Sequence, residues 1–352
     1  MNKLKVCIAG HGLVGKRRHS FIDRHPQMKV TAVSDKRYSK EYERIDDLSC
    51  YRDYRELLDK EEFDALFVCL PNDVAADATK GGLLKNAHVF CEKPPGKNLA
   101  EIISVQEIEK KSNNLKLKYG FNHRYHDSVL EALKLVNSGD FGKIINMRGV
   151  YGKSVLTPKI PGIDDIDHHL YWRAHRNKAG GGILLDQGIH MVDLMRCFAG
   201  EFDQIKSFID NNFWKRDVED NAYVIMKNND GVVAMMHSSA TQWRHKFTLE
   251  ITLENACLVL SGILSSTKSY GQEMLTIVYR DDNSGGDPRE ITTSYIHDNS
   301  WENEINDFAA CIIEDKPITV GTSYDAKKTM ELVYKIYTSD PDWSARYNIS
   351  IS

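Results

Sequence analysis

The first 120 residues alternate short apolar runs with stretches of helical pattern. The apolar runs read LKVCIAG, KVTAVSD, DALFVCLP, HVFCEKP and LKLKYGF, and helical patterns such as residues 13–24 and 99–112 separate them. Strands joined by helices of this length are typical of right-handed crossovers that feed a parallel sheet. The sequence therefore predicts an α/β domain over residues 1–120 that is built on a doubly wound parallel sheet.

The pattern changes after about residue 120, and a second domain is expected over residues 121–352. Strand-like runs now follow one another with few helices between them: KIINMRGVYGK, NAYVIMKNN, GVVAMMHSSATQW, KFTLEITLENACLVLSG and MLTIVYR. Turn residues at their joints favour an α+β domain with a large open, mostly antiparallel sheet. Two helical stretches at residues 301–314 and 324–338 either stay with this domain or pack back on the first.

Composition excludes several classes of protein. The chain has 41% hydrophobic and 27% charged residues and a formal net charge of -4, so it has no basic field that would attract nucleic acid. It has no run of about 18 apolar residues that would suggest a membrane span, and its N-terminus does not resemble a secretory signal. Seven scattered cysteines without metal-ligand spacing indicate reduced thiols and a cytoplasmic protein.

A glycine motif between the first apolar run and the first helical stretch points to a dinucleotide. Gly10, Gly12 and Gly15 form GxGxxG in AGHGLVG, with Leu13 and Val14 between them. In a strand, turn and helix these glycines allow the close approach of a pyrophosphate to backbone amides, as in Rossmann domains.

The end of the second apolar run bears on the choice of cofactor. Asp35 lies just over twenty residues beyond the glycine motif, where a carboxylate accepts hydrogen bonds from ribose hydroxyls, and this favours NAD. Lys36 and Arg37 follow it and could hold a 2′-phosphate, so NADP stays an alternative.

Two later strand ends supply further candidates at the carboxyl edge of the sheet, where ligands bind in this architecture. Leu70, Pro71 and Asn72 end one strand, and Glu92 and Lys93 end the next in CEKPP. A lysine beside the nicotinamide can donate a hydrogen bond to the substrate oxygen and stabilise developing alkoxide charge. An ordinary charged turn is the alternative interpretation.

The segment AGGGILLDQGIHMVDL, residues 179–194, holds a candidate acid/base pair. Asp186 and His190 are four residues apart and are expected on one face of a helix, one turn from each other. Histidine can exchange a proton near neutral pH, and the carboxylate can orient it or the substrate hydroxyl. Asp193 is expected to complete a structural network. An ordinary helical pair worth a few tenths of a kcal/mol is the alternative.

The motifs GHGLVG, CEKPP, GFNHRY and YWRAHRNKAGGGILLDQGIHMVDL together resemble the glucose-fructose oxidoreductase, inositol dehydrogenase and MocA-like (Gfo/Idh/MocA) family, in the expected order along nearly the whole chain. The resemblance implies an N-terminal Rossmann domain, an open-sheet domain that mediates oligomerisation, and NAD(P)-dependent redox chemistry on sugars, polyols or nucleotide-linked sugars. It assigns catalysis to Lys93, Asp186 and His190, and it adds Asn122 and Arg173 to the residues expected to contact the cofactor.

The function expected from these residues is hydride transfer between nicotinamide and a carbinol carbon. Lys93, Asp186 and His190 would contact the substrate, and Arg124, Tyr151 and the loop over residues 157–172 would shape its pocket. A non-catalytic dinucleotide sensor, or a hydrolase or epimerase that oxidises its substrate transiently with a tightly bound NAD, remain alternatives. Self-association as a homodimer or homotetramer is expected, because an exposed apolar sheet face is otherwise a liability.

The acidic loop IPGIDDIDHHLYW contains carboxylate and imidazole groups of the kind that ligate metal ions. Neighbouring ligands in one loop rarely converge on a single ion, and the expected chemistry needs no Lewis acid. No metal is therefore predicted, and a solvated or substrate-contacting loop is expected at the residues Asp164, Asp165, Asp167, His168 and His169.

Overall fold

A computed structural model describes residues 3–112, 114–156, 172–264, 269–283 and 285–351. Within them the chain forms two compact units. The first contains Met1–Asn122 and Trp301–Lys328, and the second contains His123–Ser300 and Thr329–Ser352. The first unit is thus made of two separate stretches of chain.

The first unit is built on a seven-stranded sheet. Its strands are β1 Leu4–Ala9, β2 Met28–Ser34, β3 Tyr42–Ile45, β4 Leu48–Tyr51, β5 Ala65–Val68, β6 His88–Glu92 and β7 Leu117–Gly120. They lie in the order β3-β4-β2-β1-β5-β6-β7, and every neighbouring pair is parallel except β3 with β4. The order reverses between β1 and β5, which is where this architecture binds its ligands.

The second unit is built on an eight-stranded sheet. Its strands are β8 Ile144–Gly152, β9 Phe202–Asp210, β10 Asn221–Asn228, β11 Val233–Ser239, β12 Lys246–Leu253, β13 Ala256–Ser261, β14 Glu273–Tyr279 and β15 Glu290–Tyr295. They lie in the order β15-β14-β13-β12-β8-β11-β10-β9, and only β8 with β11 is a parallel pair. The predicted fold class is therefore confirmed.

Helices connect and cover these strands. They are α1 Leu13–Arg24, α2 Tyr54–Lys60, α3 Asn72–Leu84, α4 Leu99–Glu109, α5 Asp127–Ser138, α6 Arg176–Ala179, α7 Ile189–Ala199, α8 Ser300–Ile313, α9 Ser323–Thr338 and α10 Pro341–Tyr347. None of the helices in the described part of the chain is long and apolar enough to cross a lipid bilayer.

Aromatic packing joins the two stretches of the first unit. Phe67 of β5 stacks on Phe90 of β6, with ring centroids 4.8 Å apart. Phe308 of α8 sets its ring edge-on against both, at 5.7 Å and 5.6 Å. All three side chains are fully buried, so α8 completes the core of this unit.

Several elements differ from the sequence-based expectation. The hairpin β3–β4, the strands β9 and β15 and the helix α10 were not predicted. The single helix expected to carry Asp186 and His190 is instead a π-helical turn, Leu184–Gly188, followed by α7. An i, i+4 spacing therefore does not stand for one α-helical turn here, because a π-helix has a wider turn.

Candidate functional site

The glycine loop between β1 and α1 has the shape that a pyrophosphate requires. A Cβ on Gly10, which has φ +96°, would lie 2.3 Å from the Cys69 carbonyl oxygen, and one on Gly15 would lie 1.9 Å from that of Gly10. A Cβ on Gly12 would meet nothing closer than Arg37 Nη2, at 3.8 Å. Neighbouring backbone thus leaves no room for a side chain at Gly10 or Gly15, whereas the space around Gly12 is open to a ligand.

The N-terminus of α1 also suits an anion. Gly12 is the N-cap and makes no side-chain capping bond, and the first turn, which contains Leu13, Val14 and Gly15, has no acidic residue. Leu13 is exposed and Val14 is half-buried. Backbone amides at a helix start carry partial positive charge. The residues present therefore fit the diphosphate of a dinucleotide.

Arg37 holds the carboxylate that is expected to bind ribose. Its Nε and Nη2 atoms donate to Asp35 Oδ1 and Oδ2 at 2.8 Å and 2.7 Å, and its backbone amide donates to Oδ1 at 2.9 Å. Burial alone would raise the pKa of the Asp35 carboxyl, but the hydrogen bonds from Arg37 keep it below its usual value. Arg37 is half exposed and Lys36 is exposed, so both cations next to Asp35 are accessible.

A histidine pair that the sequence analysis did not single out lies beside this loop. His11 Nδ1 is 2.8 Å from Tyr38 Oη, and its Nε2 is 3.0 Å from His19 Nδ1. Burial and the neighbouring His19 lower the pKa of His11 to about 4. His11 is therefore neutral at physiological pH and adds no charge to the loop.

The predicted strand-end residues follow β5 and β6. Leu70 and Pro71 are half-buried, and Asn72 is buried at the start of α3. Glu92 ends β6, and Lys93 follows it with a cis peptide bond to Pro94. These residues therefore lie at the carboxyl edge of the sheet, as expected from their place in the strands.

Arg18 of α1 holds Glu92 at this edge of the sheet, and no sequence motif pointed to it. Its guanidinium is fully buried and donates to Glu92 Oε1 at 2.7 Å and to Glu304 Oε2 at 2.6 Å. It also lies over the rings of Phe90 and Trp301, 4.5 Å and 4.2 Å from their centroids. Arg18 thus fixes the side chain immediately before Lys93.

In the second unit, Asp186 lies on the π-helical turn, and its carboxylate contacts two cationic side chains. Lys153 Nζ is 3.1 Å from its Oδ2 atom, and Arg173 Nε is 3.1 Å from its Oδ1 atom. Arg173, expected to contact the cofactor, also stacks over Trp172. The half-buried carboxylate is thus held in a fixed orientation by two cationic side chains, and Lys153 is a site residue that the sequence analysis missed.

The three glycines before this turn allow close packing inside the second unit. A Cβ on Gly182 would lie 2.1 Å from the Glu219 carbonyl oxygen, and one on Gly181 would lie 2.2 Å from Tyr337 Oη. Larger residues would clash with Glu219 and Tyr337 and displace the turn. The glycine triplet therefore sets the position of Asp186.

His190 is buried in the first turn of α7 and stacks on a second histidine. The rings of His190 and His123 lie 3.7 Å apart at an interplanar angle of 14°. His123 Nε2 is 3.0 Å from Tyr151 Oη, so Tyr151, predicted to contact substrate, joins the same cluster. Burial raises the pKa of Tyr151, which keeps its hydroxyl protonated. The motif GFNHRY contains His123, but nothing in the sequence indicated that it faces His190.

Arg124, another residue predicted to shape the pocket, lies in a buried ion pair. Its Nε and Nη2 atoms donate to Asp193 Oδ2 and Oδ1 at 2.7 Å and 2.6 Å. Thr329 also donates to Asp193, at 3.1 Å. The structure thus gives Arg124 a protein carboxylate as its partner and places Asp193 in a structural network.

Asn122, the last residue of the first stretch of unit one, is buried.

The acidic loop residues Asp164, Asp165, Asp167, His168 and His169 lie outside the described residues, as does most of the loop at 157–172. Among the residues that are described, no group of three metal-ligating side chains is close enough to hold an ion. All seven cysteines are free thiols.

A doubly wound sheet, an open glycine loop and an acidic residue at the end of β2 define a dinucleotide-binding protein of the Rossmann class. A family model described as an oxidoreductase family with an NAD-binding Rossmann fold matches residues 4–121, and a GFO/IDH/MocA C-terminal domain matches residues 129–259. The chain therefore belongs to the Gfo/Idh/MocA family of NAD(P)-dependent oxidoreductases, which act on CH-OH groups.

Individual relatives are distant. The chain is 26% identical to the uncharacterized oxidoreductase YrbE of Bacillus subtilis and 25% identical to myo-inositol 2-dehydrogenase of Thermotoga maritima. These matches cover 66% and 67% of this chain and 66% and 68% of the relatives. The solved structure of levoglucosan dehydrogenase in complex with NADH superposes with a TM-score of 0.81 at 18% identity and covers 97% of this chain and 98% of that one, which shows a shared fold.

Proposed function

We propose that this protein transfers a hydride between the nicotinamide of NAD and a carbinol carbon of a sugar, polyol or nucleotide-linked sugar. The observation that carries the proposal is Asp186 held between Lys153 and Arg173, four residues before the buried His190, in a chain whose other unit is an NAD-binding domain. Two distant relatives, myo-inositol 2-dehydrogenase and levoglucosan dehydrogenase, support a polyhydroxylated substrate.

Each proposed catalytic residue has a separate task. Lys93 donates a hydrogen bond to the substrate oxygen and favours alkoxide character as hydride leaves carbon. His190 exchanges the hydroxyl proton, and its stack on His123 fixes the plane of its ring. Asp186 orients the substrate hydroxyl and the imidazole. Bound NAD supplies the hydride acceptor, and Gly12, Asp35 and Arg173 are among the residues proposed to hold it.

Two substitutions test this assignment. His190→Ala and Lys93→Met should each lower kcat by about a hundredfold or more, because each removes a proton-transfer or electrostatic contribution to the transition state. Steady-state formation of NADH, with a panel of polyols and nucleotide sugars, measures the effect. Lys29→Met changes an exposed lysine on β2 and serves as the matched control. Near-normal turnover in either active-site variant contradicts the assignment.

The same assay separates the proposal from its alternatives. Net accumulation of NADH in solution is expected from a dehydrogenase. A dinucleotide sensor gives binding without NADH, and a hydrolase or epimerase that recycles a tightly bound NAD gives product without net NADH. Either result would overturn the proposed reaction while leaving NAD binding intact.

We also propose that the protein self-associates through the open sheet of the second unit. Phe208, Tyr223, Ile225, Val233 and Met235 are exposed large side chains on the adjacent strands β9, β10 and β11. A contiguous apolar face of this kind marks an interaction surface. A homodimer or homotetramer is the assembly proposed, and the free thiols support a reducing, cytoplasmic location.

A further inference from the structure

Gln187 combines deep burial with an unsatisfied side chain. It lies in the π-helical turn directly after Asp186 and is 8% exposed. Its Nε2 atom donates a hydrogen bond to Tyr270 Oη. Its Oε1 atom is buried and has no hydrogen-bond partner among the described residues. A buried amide oxygen without a partner is unfavourable, since it has given up its hydrogen bonds to water.

The other end of the same amide lies against two tyrosines. Burial raises the pKa of the Tyr151 and Tyr270 hydroxyls, and hydrogen bonding with the Gln187 side chain offsets part of that rise in both. The Nε2 end of Gln187 is therefore paired, while Oε1 has no partner among the described residues. A hydroxyl group of a bound molecule can donate to that oxygen.

The surroundings of the amide suit a polyhydroxylated molecule. Tyr270 packs against Tyr151 and His245, with ring centroids 5.4 Å and 5.1 Å apart. His245 Nε2 is 2.9 Å from Ser154 Oγ, which follows the end of β8. Polar hydrogen-bonding groups set among aromatic rings are typical of a small-molecule pocket. Since a hydroxyl group both donates and accepts, it can pair with the amide in either orientation.

We propose that Gln187 binds a hydroxyl group of the substrate other than the one that is oxidised, and so determines which sugars or polyols the enzyme accepts. This inference rests on the proposed function, because it assigns a second contact to the same substrate. Loss of the hydroxyl from the substrate, or of the amide from the protein, leaves one buried polar group unpaired. Such a site rejects the analogue that lacks the hydroxyl.

The test compares the wild-type protein with Gln187→Leu and with the matched control Gln27→Leu, which makes the same exchange in the loop between α1 and β2 of the other unit. The substrates are myo-inositol, levoglucosan, D-glucose and D-xylose, together with monodeoxy analogues of each one that is turned over. Gln187→Leu should raise KM about tenfold or more with little change in kcat, and it should no longer discriminate the full substrate from one of its deoxy analogues. The control should behave as the wild type.

A second measurement does not depend on the folding of a variant. The side-chain amide signal of Gln187 in a ¹⁵N,¹³C-labelled wild-type protein, assigned by through-bond correlation to its own backbone, should shift when a substrate is titrated with NADH present. A signal that stays constant, together with unchanged discrimination in Gln187→Leu, would overturn the inference and indicate that only water pairs with the amide.

The outcomes also separate this inference from the proposed function. If the wild type turns over a substrate and Gln187→Leu discriminates its deoxy analogues to the same extent, the role of Gln187 is contradicted while the proposed reaction is still supported. Failure of every sugar and polyol to bind or to be oxidised contradicts the proposed function, and this inference falls with it. Thermal unfolding of Gln187→Leu near the wild-type midpoint shows that any rise in KM comes from the lost contact.

Discussion

At the scale of single residues, Arg37 affects how a bound dinucleotide can hydrogen-bond to Asp35 at the end of β2. Its guanidinium occupies both oxygens of Asp35, and the ribose hydroxyls of NAD must share that carboxylate with it. A 2′-phosphate would instead draw Arg37 toward itself as a charged partner. The structure therefore gives a physical basis for the use of either cofactor.

Arg37→Ala is expected to separate the two cofactors. NADPH affinity should fall by about tenfold or more, because a charge-assisted hydrogen bond to phosphate is lost, while NADH affinity should stay close to that of the wild type. Fluorescence titration of both reduced cofactors measures the ratio. Arg52→Ala removes another exposed arginine of this unit and serves as the control. Equal losses for NADH and NADPH would contradict this role.

Glu304 makes the stability of the first unit depend on pH. Burial raises its pKa to about 7, against 4.5 as its ordinary value, despite the neighbouring Arg18. The folded protein thus binds this proton more tightly than the unfolded chain, and the resulting stabilisation is lost as pH rises from about 4.5 through about 7. Glu304→Gln cannot ionise and should remove this loss, which has an upper bound of about 3 kcal/mol.

Thermal unfolding between about pH 5 and pH 8 measures the effect. The midpoint of the wild type should fall across this range relative to that of Glu304→Gln, whereas Glu302→Gln, on an exposed position of α8, should follow the wild type. Parallel curves for the wild type and Glu304→Gln would show that the carboxyl titrates in its ordinary range.

Sequence patterns identify some of these residues and cannot identify others. The spacing of Gly10, Gly12 and Gly15 relates neighbours in the chain, so local reasoning suffices for the loop. Arg18 and Gln187 depend on residues far along the chain, Glu304 and Tyr270. A buried arginine and a buried glutamine look like ordinary helix residues until their partners are known.

At the scale of elements, the loop between β1 and α1 separates two roles of glycine. Gly15→Ala would press a methyl group against the Gly10 carbonyl, whereas Gly12→Ala has room. We expect Gly15→Ala to lower the unfolding free energy by about 2 kcal/mol or more, and Gly12→Ala to leave it unchanged. Gly12→Ala should still weaken NADH binding by about tenfold or more, because its methyl group lies where the pyrophosphate approaches.

Calorimetric unfolding together with NADH titration distinguishes these outcomes. A Gly12→Ala variant that binds NADH as tightly as the wild type would show that the pyrophosphate does not approach Gly12. A fully stable Gly15→Ala variant would show that the loop can move away from α1.

The elements that sequence reasoning missed lack a repeating pattern. The strand β15 has no buried residue along its length, and β3 is mostly exposed, so neither shows the alternation that predicts a strand. The π-helical turn reads LLDQG, and most of its residues are buried. A segment buried on nearly all sides shows no periodicity, and the sequence therefore could not tell a π-turn from an α-helix.

At the scale of the whole molecule, the exposed face of the second sheet predicts how subunits associate. Ile225 and Met235 face each other across β10 and β11, and each is about half exposed. Ile225→Glu would place a charge at the centre of this face, and we expect it to convert a dimer or tetramer into a smaller species. Light scattering coupled to size exclusion measures the mass.

Leu84→Glu, which replaces an exposed leucine on α3 of the other unit, is the control for an added negative charge. An unchanged mass for Ile225→Glu would contradict assembly through this face. A monomeric wild type would contradict self-association altogether.

Sequence patterns predict the boundary between the two units but not the unit to which the last helices belong. The change from alternating strands and helices to successive strands predicts a boundary near residue 120, and compact unit one ends its first stretch at Asn122. The patterns of α8 and α9 show that they are amphipathic helices, but a helix pattern does not reveal which sheet it covers. Contacts in the folded protein, such as the packing of Phe308 on Phe67 and Phe90 and the pairing of Glu304 with Arg18, assign α8 to the first unit.

Because unit one needs residues 301–328 as well as 1–122, a ribosome must translate through residue 328 before that unit has all its parts. Until Phe308 emerges, the rings of Phe67 and Phe90 lack their covering partner on the nascent polypeptide. The first stretch of the nucleotide-binding unit thus waits for its last helix while residues 123–300 are synthesised, and exposed apolar surface of this kind makes folding intermediates prone to aggregate.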